Sequence, residues 1–343
     1  MRMLKLVVWD LDQTILTGIL EEGDEIIDPM AQQVMNLLNE RGILQALATQ
    51  NPPEIIPPAI EKFGWENLFV QVEADLGPKT SKIKRILETL EVNPLDSVFV
   101  DEDAFERDSI AVQIQGITSC SIAELNDYLT HTVAEVTEEG RQRPQMYREQ
   151  LARVAGETQA TDYESFLRSC NIEIKVRPYM PADAKRIEEL LTRTHRMNLG
   201  ILALEEATAR LNQSNAHHVV VAEMKDAYGD MGRCGVIHLT PNGNEEAIIE
   251  SLTISCRTRA RGLSLAMLVG MLRHPLAKFQ AYHCRYIFNG FNRPLRMLLM
   301  GTGFKPQKGT DELILTTDKL YSVEIPPWVS VINEKNSYNE VNT

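Results

Sequence analysis

The sequence predicts an α/β protein in two parts, a doubly wound parallel sheet followed by an α+β domain. Three observations carry that expectation. Short apolar runs alternate with amphipathic helices through the first third of the chain, the pattern of strands buried on both faces by crossover helices. At 343 residues the chain is long enough for two cores, at roughly 100–200 residues per domain. The charge is also divided: residues 1–140 hold 9 basic and 26 acidic side chains, whereas residues 141–343 hold 26 and 22.

Leu6–Trp9 reads as the first strand. A helix follows over 29–40, with Met30, Val34, Leu37 and Leu38 on one face, and then a strand over 42–47. Pro52, Pro53, Pro57 and Pro58 punctuate the way to a helix near 58–63. Leu68–Val72 reads as a third strand, 79–90 as a basic helix and Ser97–Val100 as a fourth strand. Residues 131–170 are polar and rich in Glu, Gln and Arg, and are expected to be a helical linker between a first domain over 1–130 and a second over 171–327. In the second, strands are expected at 172–176, 218–224, 233–239, 247–256 and 282–288. Helices are expected at 182–194, 262–273 and 292–301, a closing strand pair within 311–325, and a loose tail over 328–343.

The formal charge of −13 argues against non-specific binding to nucleic acid. Five scattered cysteines without a CxxC pair predict neither a disulfide framework nor a zinc site. No apolar run approaches the ~18 residues that span a bilayer, and the first residues lack a signal peptide's pattern, so a cytoplasmic location is expected.

Asp10-Leu11-Asp12-Gln13-Thr14 directly follows the first strand. Two carboxylates at i and i+2 on a parallel strand end suit phosphoryl transfer, one attacking phosphorus while the other protonates the leaving oxygen. Thr49, Gln50 and Asn51 end the second strand, where they can bind phosphate oxygens, and Lys79 can neutralise the same phosphate. Asp101 and Glu102 end the fourth strand and, with Asp10 and Asp12, form a candidate shell for Mg2+. In the second half, Cys256 precedes Arg257, Arg259, Arg261 and Gly262, and cationic neighbours favour a thiolate nucleophile. Gly262 and Ser264 open a helix where backbone can approach a ligand, and resemblance to acyltransferase segments implies Asn198, Arg257, Arg261 and Asn292 beside them as acyl or pantetheine contacts. Cys234 and Cys284 read as core. His195, His217, His218 and His283 do not form a ligand pattern.

The first group resembles the four motifs of the haloacid dehalogenase (HAD) phosphatase superfamily. The loop Arg261-Gly262-Leu263-Ser264-Leu265-Ala266 resembles the pyrophosphate or pantetheine loop of GNAT-type acyltransferases. The stretches VVWDLDQTILTGIL, RGILQALATQN, GPKTSKIKRI, FVDEDAFER and SCRTRARG further resemble the FkbH-like family of polyketide pathways, over about residues 4–305. That resemblance implies transfer of a glyceryl unit from 1,3-bisphosphoglycerate to the phosphopantetheine thiol of an acyl carrier protein, with removal of phosphate. It implies Asp10 as nucleophile, Asp12 as acid/base, and Cys256 as the acyl-carrying thiol. Thr49, Gln50 and Asn51 stand where the family usually has Ser-Lys-Asn, and Glu102 stands where it has Asp. A small-molecule phosphatase with a degenerate second domain, an acyl-CoA-dependent acyltransferase, and a non-catalytic docking module are the alternative readings.

Overall fold

The computed structural model describes residues 4–23, 25–132, 136–160, 162–199 and 218–334. The chain divides into two compact units, Met1–Glu149 and Gln150–Thr343. Both have the mixed α/β character expected.

The first unit is built on five parallel strands, β1 (Leu6–Trp9), β2 (Leu44–Thr49), β3 (Gln71–Ala74), β4 (Ser97–Val100) and β5 (Thr118–Cys120), in the order β3-β2-β1-β4-β5. Helices α1 (Pro29–Glu40), α2 (Ile56–Phe63), α3 (Lys79–Thr89), α4 (Ala104–Gln113) and α5 (Ile122–His131) make the crossovers. β1 and β4 are wholly buried because the sheet is covered on both faces, which is why they read as continuous apolar runs. Capping fixes where helices begin. Asp28 accepts the N–H groups of Met30 and Ala31 at α1, and Ser121 with Glu124 makes a capping box at α5. The strand order reverses between β1 and β4, so a crevice lies outside their C-terminal ends.

The second unit carries an eight-stranded mixed sheet of order β11-β12-β10-β9-β8-β7-β6-β13. Its strands are β6 (Ile172–Pro178), β7 (Val219–Asp226), β8 (Gly229–Asn242), β9 (Glu246–Ile254), β10 (Ala281–Arg285), β11 (Lys305–Pro306), β12 (Glu312–Thr316) and β13 (Val329–Asn333). The helix Leu263–Leu272 is buried at every position except Leu265, which is why its sequence lacks a polar face. It packs so closely on the sheet that a Cβ on Gly235 would lie 2.7 Å from Met267 Sδ.

Four expectations are corrected. The third strand lies at Gln71–Ala74 rather than 68–72, because Phe69 and Val70 are buried in the turn that leads into it. Residues 317–321 form a short helix where the second of two closing strands was expected. Residues 150–169 are not a spacer: Arg153 donates to Asp226 (Nη2–Oδ1 2.8 Å) and Glu157 receives Arg261, which builds them into the second unit. The tail is not loose from Trp328, since β13 runs parallel to β6 from Val329 to Asn333; residues 335–343 lie outside the described residues.

A buried charge cluster ties β6 and β8 to the turn before the helix Ala184–Arg193, and its Arg177 also reaches Glu223 on β7 through Nε at 2.9 Å. Arg177 grips Asp183 with two bonds of 2.8 and 2.9 Å, Arg233 adds a third at 2.7 Å, and Met180 N–H a fourth at 2.8 Å. Burial alone would raise the Asp183 pKa, but these donors outweigh it and hold the carboxyl below its ordinary range. Its contribution to stability is therefore present above the ordinary carboxylate pKa and is lost as pH falls through and below it. Asp183→Asn is expected to cost about 3 kcal/mol in urea titration at neutral pH, because it removes the buried carboxylate that Arg177 and Arg233 share, although Arg177 keeps Glu223 as a partner. The difference from the parent should shrink below about pH 4.

Candidate active site

The apolar strand β1 ends at Trp9, and the next side chain, Asp10, is the first polar group at the crevice. Its N–H donates to Val100 O at 2.9 Å, which keeps the ends of β1 and β4 side by side. Asp101 follows β4 in the same way. Lys79, the first residue of α3, reaches between them, with Nζ 2.9 Å from Asp10 Oδ1 and 2.7 Å from Asp101 Oδ2. Asp10, Asp101 and Lys79 are all buried. Burial pushes Asp10 up to about 7; Lys79 opposes the rise, while the charges of Asp101 and Glu102 add to it. Burial alone would depress Lys79, but Asp10 and Asp101 hold its pKa well above the usual lysine value.

Asp10, Asp101 and Glu102 each offer a carboxylate oxygen within 4.8 Å of the others. One lysine does not offset three carboxylates. An oxygen-only donor set with surplus negative charge fits a hard divalent cation such as Mg2+. Asp12 is not in this cluster. Its Oδ1 accepts Leu20 N–H at 2.8 Å and its Oδ2 accepts Asn51 Nδ2 at 2.6 Å, so the expectation of a side-chain metal ligand at Asp12 is corrected to an oriented carboxylate beside the cluster. Gln13, just after it, is in the left-handed region at φ 57°, a strained turn that directs the chain away from the strand end.

Asn51 Nδ2 also donates to Thr49 Oγ1 at 2.8 Å, which brings Thr49, Asn51 and Asp12 together. Gln50 is exposed and donates to Gly77 O at 3.4 Å, just ahead of Lys79. Sequence reasoning missed two residues here. The Thr14 hydroxyl donates to the Glu102 carboxylate and accepts Glu102 N–H at 3.1 Å. Arg107 Nη1 donates to the carbonyls of Asp101 and Glu102, both at 2.8 Å. Thr14 stands at i+4 from Asp10, which is a readable signal; Arg107 sits on α4, one turn beyond the acidic residues, and carries none.

Lys79→Met is expected to destabilise the metal-free protein by about 3–5 kcal/mol, since three carboxylates then face one another. Adding Mg2+ should recover part of that loss and should raise the thermal midpoint of the parent protein, but not that of Asp101→Asn. Thermal unfolding with and without a chelator checks this.

In the second unit, β10 pairs with β9 only over Glu246–Ile248 and then diverges. The freed edge of β9 is taken by residues 197–199: Ile254 N–H donates to Met197 O and Leu199 N–H to Leu252 O, both at 2.9 Å. Asn198 lies in this strip, its Nδ2 on Leu191 O at 3.1 Å. Cys256 comes two residues beyond β9, half-buried, in a short turn that Ser264 closes by donating its hydroxyl to Thr258 O at 2.8 Å. Gly262 has φ +73°, and a Cβ there would meet Pro326 Cγ at 2.6 Å, so only glycine fits. Arg257 Nη2 lies 3.4 Å from Met231 O.

Two expected ligand contacts are structural instead. Arg261 donates to Glu157 Oε2 from Nε (2.9 Å) and Nη2 (2.6 Å), so its charge is already matched. Asn292 is fully buried: Oδ1 accepts Tyr286 O–H and Asn289 N–H, and Nδ2 donates to Ile287 O and Asn198 O. It ties the start of the helix Arg293–Thr302 to the strip beside β9. Cys234 and Cys284 are core, and burial pushes the Cys284 thiol up to about 12. His217 lies outside the described residues; His218 bonds Leu276 O through Nδ1 at 2.8 Å.

No protein-family model matches the chain, and no curated protein does. Solved structures share parts of it. One is the N-terminal, phosphatase-domain part of a Bacteroides fragilis protein complexed with Mg, at 20% identity over 43% of this chain and 40% of that one, TM-score 0.31. Another is a HAD-superfamily hydrolase from Ehrlichia chaffeensis, at 10% identity over 38% of this chain and 98% of that one, TM-score 0.33. A third is the diaminobutyrate acetyltransferase of Paenibacillus lautus, at 18% identity over 48% of this chain and 98% of that one, TM-score 0.31. The first of these is matched over less than half its length. No described helix is long and apolar enough to cross a membrane.

Proposed function

We propose that the chain is a two-site enzyme that moves a glyceryl unit from 1,3-bisphosphoglycerate to the phosphopantetheine thiol of an acyl carrier protein and removes its phosphates. The observation that supports this reading is the presence in one chain of two separate nucleophile settings. One is a buried carboxylate–lysine cluster at a switch point; the other is a half-buried cysteine at the end of β9.

At the second site the Cys256 thiolate attacks the acyl-phosphate carbon. The C–O bond to phosphate breaks, inorganic phosphate departs with the electron pair, and a glyceryl thioester that still carries the 3-phosphate remains on Cys256. The carrier's pantetheine thiolate then attacks that thioester and returns the Cys256 thiolate. At the first site an Asp10 oxygen attacks the phosphorus of the remaining phosphate ester. Asp12, oriented by Leu20 N–H and Asn51, gives its proton to the departing alkoxide. Water then attacks the aspartyl phosphate at phosphorus, Asp12 takes its proton, and the Asp10 carboxylate is restored. Thr49 and Lys79 supply a hydroxyl and a cation for the phosphate oxygens. Asp10, Asp101 and Glu102 would hold Mg2+, whose chemistry there is to neutralise charge on the phosphoryl oxygens.

The test is to acid-quench the protein with 1,3-bisphosphoglycerate and map its peptides by mass spectrometry. A glyceryl adduct, with or without its phosphate ester, is expected on the Cys256 peptide; an adduct confined to another cysteine, or none, refutes the thioester step.

A further inference from the structure

The helix Arg293–Thr302 turns Leu295, Leu299 and Thr302 into the core and leaves Arg293, Arg296, Met297 and Met300 outside. The outer positions follow the i, i+3, i+4, i+7 spacing of one helical face, so they form a single stripe. It is an unusual stripe for a surface. Met297 is 74% exposed, and the preceding loop adds Phe288 at 50% and Phe291 at 40%. The loop and helix are joined, because the Arg293 guanidinium lies 5.3 Å from the Phe288 ring centroid and that of Arg296 lies 5.7 Å from Tyr286.

The charge is as one-sided as the apolarity. Residues 285–305 hold four basic side chains and no acidic one, in a chain whose net charge is −13. Neither Arg293 nor Arg296 makes an ion pair with a carboxylate among the described residues. Stacked on aromatic rings, both cations are held in place before a partner arrives, which lowers the ordering cost of binding. Exposed methionines supply adaptable apolar contact.

We infer that this stripe, with the loop before it, docks an acidic amphipathic helix of the carrier protein, and this rests on the carrier being the acyl acceptor as proposed above. The location agrees with that role. Asn292, directly before the stripe, donates to Asn198 O in the strip that covers the edge of β9, two residues short of Cys256. A second copy of the chain fits less well, because a two-fold contact sets Arg293 and Arg296 against their own copies. Nucleic acid fits less well too, since a stripe half methionine on an acidic chain offers few phosphate contacts.

The test uses the full chain, the double variant Arg293→Glu/Arg296→Glu, and a stand-alone phosphopantetheinylated acyl carrier protein. Binding is read by calorimetry without substrate; glyceryl transfer is read separately to the carrier and to free pantetheine. The parent should bind the carrier more weakly as salt rises, and the variant should bind it at least about tenfold more weakly still. Transfer to free pantetheine should be the same in both. Equal carrier binding by parent and variant overturns the inference, as does absence of binding by the parent at low salt, self-association abolished by the variant in sedimentation, or tight binding of single-stranded DNA lost in the variant. Equal loss with carrier and pantetheine also overturns it, by assigning the arginines to the acyl site. Carrier binding lost in the variant, with neither acceptor loaded by the parent, would support the docking surface and refute the transfer chemistry instead.

Discussion

Asp10→Asn is expected to abolish release of inorganic phosphate from a phosphate monoester such as p-nitrophenyl phosphate, a loss of at least about 10^4-fold, in line with removing a nucleophile elsewhere. The amide keeps the shape of the side chain and lacks the charged oxygen that attacks phosphorus. It also removes one of three mutually repelling carboxylates, while Lys79 keeps Asp101 as a partner at 2.7 Å. The fold should therefore persist, with a thermal midpoint at or above the parent's in chelator. Thioester formation at Cys256, as proposed above, does not use Asp10, so the acyl adduct should still form and should retain its phosphate ester. Phosphate release at the parent's rate would refute the role assigned to Asp10.

Cys256→Ala is the complementary case. Transfer to a thiol acceptor should fall below detection, while p-nitrophenyl phosphate hydrolysis stays at the parent's rate. Cys256 is half-buried in a turn that Ser264 closes by donating to Thr258 O, a bond that alanine at 256 leaves in place, so the turn should survive the substitution. Alanine removes a partly buried thiol at a cost of about 1 kcal/mol. Cys256→Ser separates packing from chemistry, because it restores size and polarity but supplies a much weaker nucleophile at neutral pH. Transfer by the serine variant at the parent's rate would rule out a covalent cysteine. The two variants together separate the alternative readings. A phosphatase with a degenerate second domain is indifferent to Cys256, an acyltransferase whose first domain only binds phosphate is indifferent to Asp10, and a docking module is indifferent to both.

Much of the first site is legible in the sequence because a buried parallel strand has a sharp end. Leu6–Trp9 and Ser97–Val100 are continuous apolar runs, and the first polar residues after them, Asp10 and Asp101, must lie at the crevice. Thr49 and Lys79 are equally readable, one closing β2 and the other opening α3. What the sequence hides is which way each polar side chain turns. Asp12 is near the cluster in sequence, yet Leu20 N–H and Asn51 hold its oxygens away from the metal donors. Arg107 serves through two backbone carbonyls, a contact without a compositional trace.

The second unit is harder to read for the same reason. Asn292 looks like a ligand contact because its place ahead of the last helix resembles that of an acyltransferase residue, but all of its hydrogen-bonding capacity is used in locking the loop in place. Arg261 looks like a free cation beside a thiol, but Glu157, over a hundred positions earlier, matches its charge. β13 is missed because Val329–Asn333 is a short run with no buried residue and its partner β6 lies far away in sequence. Pairings of such separation leave no local pattern.

In the proposed reaction both sites act on one substrate for one acceptor. The most direct measurement incubates the protein with 1,3-bisphosphoglycerate, Mg2+ and phosphopantetheinylated carrier protein, and weighs the intact carrier by mass spectrometry. The carrier is predicted to be heavier by one unphosphorylated glyceryl unit, which is absent with Cys256→Ala and phosphorylated with Asp10→Asn. A carrier of unchanged mass, with 1,3-bisphosphoglycerate consumed, would contradict it.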